Sequence, residues 1–155
     1  MAKKPYPLTA LSAVRKDATT RATEALAKER AREAEAARLH HEAVTARNAH
    51  SEATNSEVHH EGERLMEGEL SARDLAALET FRVRRALEDE ALLAKATEKE
   101  RDLRDADARV TTATTSLLAR ATEEKVVEKH REKFVANEKR AALQKEELES
   151  EDLRK

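Results

Sequence analysis

The stretch Glu61-Gly62-Glu63-Arg64-Leu65-Met66-Glu67-Gly68-Glu69-Leu70-Ser71-Ala72-Arg73-Asp74 decides the fold of this chain. It holds both glycines of the 155 residues, and the two prolines stand far upstream at Pro5 and Pro7. Glycine is the weakest non-proline helix former and proline is tolerated only in a helix's first turn, so these four residues punctuate the chain. Ser71 followed by Asp74 reads as an N-terminal cap: the serine oxygen accepts an amide hydrogen bond and the acid sits well against the helix dipole. Outward from this turn, the sequence predicts a single all-α chain, a long antiparallel two-helix coiled-coil hairpin over 1–155. Its first helix covers about 8–65, the turn about 66–71 and the second helix about 72–150. At the rise of an α-helix these would be about 85 Å and about 115 Å long.

Composition points the same way. Charged residues make up 40% of the chain and aromatics 2%, the balance of a coiled coil or long solvated helix, and it leaves no large globular core. There is no cysteine, hence no disulfide and no thiolate metal site. The opening MAKKPYPL lacks the apolar run of a signal peptide, and no stretch of about 18 apolar residues could span a bilayer. A cytoplasmic protein with no direct membrane insertion is expected. Residues 1–38 carry nine Lys/Arg against five Asp/Glu, whereas residues 39–80 carry three against nine. The turn end is therefore acidic and the start of the first helix basic.

In the second helix Leu92, Ala96, Leu103, Ala106, Val110, Ala113, Leu117, Val127, Phe134, Ala141 and Leu148 occupy two positions of a seven-residue repeat, interrupted by Lys99, Arg120, Glu124, Arg131, Glu138 and Lys145. The first helix offers Leu11, Ala18, Ala22, Ala25, Ala36, Leu39, Ala43, Ala46 and Ala53, with Glu29, Arg32, His50 and Glu57 interrupting. Alanine buries little area, so this seam stabilises weakly. Around the turn, Leu65, Met66 and Leu70 with Leu75, Leu78 and Phe81 are expected to close a small apolar cap, and Leu70, Leu75, Leu78 and Phe81 are also candidates for a partner-binding surface at that end. The second helix exceeds the first by roughly 20 residues. Val127 to Leu153 is thus expected to overhang as a binding surface.

No catalytic constellation is visible. There is no glycine-rich phosphate loop and no nucleophile beside a matched base, and a two-helix rod offers no enclosed site in which to tune a pKa. The reading is of a non-enzyme with no cofactor. The histidines at 40, 41, 50, 59, 60 and 130 lack an HxxxH or HxxEH spacing and are expected to be solvated surface residues, with no metal. Basic residues are interleaved with acids and aromatics are scarce, which speaks against nucleic acid.

Tyr6-Pro7-Leu8, then Leu11, Val14, Arg15, Lys16, Ala18 and Ala22, resembles the start of the type III secretion central stalk proteins, the FliJ/SctO (YscO-like) family. The charged C-terminal run Glu128, Lys129, Arg131, Lys133, Glu138, Arg140, Gln144, Lys145, Glu146 and Glu147 is similar to that family's last helix. It closes with Glu151-Asp152 where the family's usual order is Asp-Glu. The resemblance implies a hairpin similar to the coiled coil of the rotary ATP synthase gamma subunit. Its free ends would enter a hexameric secretion ATPase, and the assembly would reach the cytoplasmic ring of the export gate, peripherally associated with the inner-membrane export machinery. Export chaperones are further partners it implies. On this reading Tyr6, Leu8, Leu11, Arg15, Phe134, Gln144 and Leu148 meet the ATPase. Two other readings stay open: a structural homodimeric coiled-coil spacer, and a helical adaptor or chaperone.

Overall fold

A computed structural model describes residues 5–152. The chain is an all-α helical hairpin. Helix α1 spans Thr9–Met66 and helix α2 spans Ala72–Asp152, packed against each other, with no strand among the described residues. Glu151 and Asp152 close α2 in the backbone, and Leu153 of the expected overhang lies outside the described residues.

Each helix end has a local cause. At the start of α1 the Leu8 carbonyl accepts the amide of Ser12 at 2.9 Å, and Pro7 stands one residue earlier, where a missing N–H costs nothing. At its end Gly68 takes a φ of 75°, a left-handed conformation that a side chain would strain. This lets the Gly68 amide donate to the Leu65 carbonyl and the Glu69 amide to the Arg64 carbonyl, both at 3.1 Å. That pair of bonds is a Schellman closure. Here the flanking contact that is often apolar is an ion pair, Arg64 to Glu69 at 3.6 Å. Gly62 does not break the helix: it lies inside α1, which runs on to Met66.

Helix α2 opens with a reciprocal cap. The Ser71 amide donates to the Asp74 carboxylate at 2.9 Å, and the Asp74 amide donates to Ser71 Oγ at 3.3 Å. The Ser71 hydroxyl also donates to the same carboxylate oxygen at 2.6 Å. These bonds hold the Asp74 carboxyl below its usual range, first through the Ser71 hydroxyl and then through the Ser71 amide.

By its internal contacts the chain divides into two units, each built from a stretch of both helices. One unit takes α1 up to Lys28 and α2 from Thr111 onward; the other spans Glu29–Val110. In the second unit, the face of α2 turned to α1 carries Leu78, Phe81, Arg85, Asp89, Leu92, Ala96, Lys99, Leu103, Ala106 and Val110. The opposing face of α1 carries Glu29, Glu33, Ala36, His40, Ala43, Arg47, His50 and Thr54. In the first unit the matching faces are Ser12, Arg15, Thr19, Ala22 and Leu26 on α1, with Ala113, Leu117, Ala121, Glu124, Val127 and Phe134 on α2.

The α2 repeat follows the seven-residue pattern of the sequence, apart from Arg120 and Arg131, which stay exposed. The α1 seam differs from the expected one at every second position. Leu26 is buried while Ala25, Arg32, Ala46 and Ala53 face solvent. The one large aliphatic side chain in that stretch sits one residue beyond an alanine, and burying leucine gains more than burying alanine. Buried apolar residues among those described are Leu26, Ala43, Ala96, Ala106 and Val127. None of the larger side chains is fully buried, so apolar burial gives the pair a thin core.

The expected apolar cap at the turn is not closed. Leu70, Leu78 and Phe81 are half-buried, but Met66 is 91% exposed, Leu65 51% and Leu75 43%. The Schellman closure directs the last turn of α1 outward, and the link from Glu67 to Ser71 is held by polar bonds instead.

Candidate partner-binding surfaces

In the first unit the extended N-terminal residues lie on α2. The Tyr6 hydroxyl donates to the Val127 carbonyl at 3.3 Å and is 2.9 Å from Nδ1 of His130. The Tyr6 ring stands 5.5 Å from that of Phe134 and 5.8 Å from that of His130, tilted in both cases. Residues 127, 130 and 134 are spaced one helical turn apart, so they present one face to the tyrosine. Pro5 and Pro7 flank Tyr6 and limit its backbone freedom, which lowers the entropy lost when the ring docks. Arg15 forms an ion pair with Glu123, which also accepts from Arg120 at 3.2 Å.

This clasp joins Tyr6 with Phe134, two of the residues expected at the ATPase-binding end. Leu8 is half-buried beside it, and Leu11 is 38% exposed. Gln144 and Leu148 are exposed farther along α2 and are not brought into the cluster. The overhang begins later than expected. Val127 is buried and Phe134 half-buried, whereas every residue from Val135 to Ser150 is exposed. An open groove of about 550 Å³ runs along α2 there, lined by Glu128, Arg131, Glu132, Val135, Ala136 and Lys139. Since a single helix supplies all six residues, it is a helix flank and not an enclosed site.

The second unit contains a polar network that the sequence reading missed. Arg47 of α1 faces Asp89 of α2 at 3.4 Å, His50 Nε2 is 3.2 Å from Glu88, and Arg85 bonds Glu57 at 3.1 Å and Glu88 at 3.4 Å. His50 is therefore not the solvated residue its spacing suggested: its side chain is only 11% exposed. The hydrogen bond from His50 holds the Glu88 carboxyl below its usual range, aided by Arg85. His50 Nδ1 and Arg85 Nε are buried with no hydrogen-bond partner. The signal available in sequence was the alternation of a basic and an acidic residue at inward positions on the two helices, which pairs only once their register is known. Of the candidates at the turn, Leu70, Leu78 and Phe81 are half-buried and Leu75 is exposed, with the Arg85 guanidinium 5.2 Å from the centre of the Phe81 ring.

Among the described residues no group of three or more His, Cys, Asp or Glu is placed to hold a metal ion, and no helix is long and apolar enough to cross a membrane. No family model, curated protein or solved structure matches the chain.

Proposed function

We propose that this chain is a non-enzymatic stalk protein of a type III secretion apparatus, in the FliJ/SctO group, coupling the hexameric secretion ATPase to the cytoplasmic ring of the export gate. The observation that carries the reading is the Tyr6-Pro7-Leu8 element, the strongest point of resemblance. It is an ordered clasp on Val127 and Phe134 next to the exposed segment Val135 to Ser150. A stalk works by orientation and contact. It needs long helices and two binding surfaces, and no pocket. On this reading the clasp, Leu11 and the exposed C-terminal turns meet the ATPase, and the open turn with Leu70, Leu75, Leu78 and Phe81 serves the export gate or export chaperones. The protein would work in the cytoplasm at the inner-membrane export machinery.

The test is light scattering in line with size exclusion, on the chain alone and mixed with the secretion ATPase. The expected result is a shift of the 17.4 kDa chain into a heavy ATPase complex. Leu11→Asp should weaken that complex with helicity unchanged. Truncation after Asn137, which spares the clasp, should do the same. A chain that never enters an ATPase complex overturns the assignment.

A further inference from the structure

Helix α2 is apolar on two opposite sides between residues 75 and 94. The side turned to α1 carries Leu78, Phe81 and Leu92. On the opposite side Ala76, Thr80, Val83, Leu87, Glu90 and Ala94 follow one another at steps of four and three residues, which at 3.6 residues per turn form a continuous stripe. All six are exposed, Val83 by 58% and Leu87 by 63%. Leu75, Ala86 and Leu93 run along one edge of this stripe, with Leu75 and Leu93 each 43% exposed. A helix that is apolar nearly all round is one that expects to be covered on both sides.

The order of side chains along the stripe identifies what covers it. Read in either direction it runs small, polar, large, large, polar, small: Ala76, Thr80, Val83, Leu87, Glu90, Ala94. Such a sequence is complementary to itself when turned end for end. We propose that a second copy of this chain docks on this stripe, antiparallel, about a twofold axis midway between Val83 and Leu87. Val83 of each copy then packs on Leu87 of the other, Ala76 meets Ala94, and Thr80 lies opposite Glu90. The Thr80 hydroxyl, which donates to the Ala76 carbonyl at 3.1 Å in the single chain, turns to donate to that carboxylate. This is the isologous geometry of a two-fold pair. The patch is small, on the order of 500 Å² per copy, so the pair reaches only about the 1,000 Å² at which specific interfaces begin. The twofold also brings the two Arg84 side chains together along one flank, which weakens the pair further. The dimer is accordingly weak and concentration-dependent. The stripe lies wholly within the Glu29–Val110 unit and shares no residue with the Tyr6 clasp. The inference therefore stands apart from the ATPase-binding reading.

The test is sedimentation equilibrium of the full chain over rising concentration. The expected result is a mass climbing from 17.4 kDa toward that of two copies, and for Val83→Glu and Leu87→Glu the single-chain mass throughout, with unchanged helicity by circular dichroism. Because the chain has no cysteine, orientation is read directly. An equal mixture of Ala76→Cys and Ala94→Cys chains, oxidised with glutathione disulfide, should cross-link mainly as the mixed pair. Arg84→Ala should associate more tightly. A chain that stays single at every concentration, a dimer indifferent to Val83→Glu, or Ala76→Cys chains that cross-link chiefly to one another would each overturn the proposal. So would a helix from a different protein that occupies the stripe while the chain itself stays monomeric.

Discussion

The hydroxyl of Tyr6 donates to the backbone carbonyl of Val127, 121 residues later in the chain. This bond and the ring contact with Phe134 are what tie the extended N-terminal residues to α2. Tyr6→Phe should keep the ring contact and lose about 1 kcal/mol of docking. Tyr6→Ala should lose the aromatic pair as well, a further 0.5–1.5 kcal/mol or about that. Hydrogen exchange at the amides of Leu8 to Ser12 is the readout. Protection unchanged in Tyr6→Ala would mean that the clasp does not hold the helix start.

The two glycines should respond in opposite directions to the same substitution. Gly62 is helical and a methyl group placed on it meets nothing within 4 Å, so Gly62→Ala should stabilise by about 0.5–1 kcal/mol. Gly68 has equally open space but a φ of +75°, and Gly68→Ala should destabilise by about 1 kcal/mol. Denaturant midpoints of the two variants decide it, and equal signs would refute the distinction.

Acid should loosen the hairpin through specific carboxylates. Asp74 and Glu88 both have carboxyl groups held below their ordinary values, by Ser71 and by His50 respectively. A lowered folded value means that the stabilisation is fully present above the ordinary carboxyl range, about pH 4. It is lost as pH falls through the lower folded values. Thermal midpoints followed below pH 5 should fall less steeply in Ser71→Ala than in the parent chain. That variant should also be less stable near neutrality by about 1 kcal/mol, from the missing cap. A parallel decline in both would detach Asp74 from the acid response.

His50→Leu is expected to raise stability. The imidazole leaves Nδ1 buried without a partner, and such a group costs about 1–3 kcal/mol. Leucine removes that group and adds apolar contact, while Glu88 keeps Arg85 at 3.4 Å and remains 46% exposed. A gain of about 1 kcal/mol in chemical denaturation is the expected outcome. A clear loss would show that the pairing of His50 with Glu88 outweighs the orphaned nitrogen.

What the sequence revealed and what it hid divide along physical lines. The helix ends were legible because proline, glycine and a serine cap act within a few residues of themselves, as at Pro7, Gly68 and Ser71. The inward face of α2 was legible because Leu92, Leu103, Val110, Leu117, Val127 and Phe134 are large enough to mark a repeat. On α1 the same method followed alanines, which are nearly indifferent to burial, and placed Ala25 inward where Leu26 goes. Arg47 and His50 gave no sign of facing α2, because an ion pair between helices depends on a register that neither helix carries alone. The clasp was half visible: Tyr6 and Phe134 were singled out, but Val127 and His130 became its floor only when residues 121 and 124 positions apart were brought together.

The three cross-helix pairs in the Glu29–Val110 unit act as detents against sliding. An alanine groove with few large knobs has little to stop one helix from slipping along the other by a whole repeat. A slip of seven residues would set Arg47 against Arg82 or Ala96 in place of Asp89, and His50 against Phe81 or Lys95 in place of Glu88. Glu57 would meet Leu78 or Leu92 in place of Arg85. Every misaligned position thus trades an attraction for a repulsion or a stranded charge. The charges that add little to the strength of this hairpin are the ones that tell its two strands where to stop.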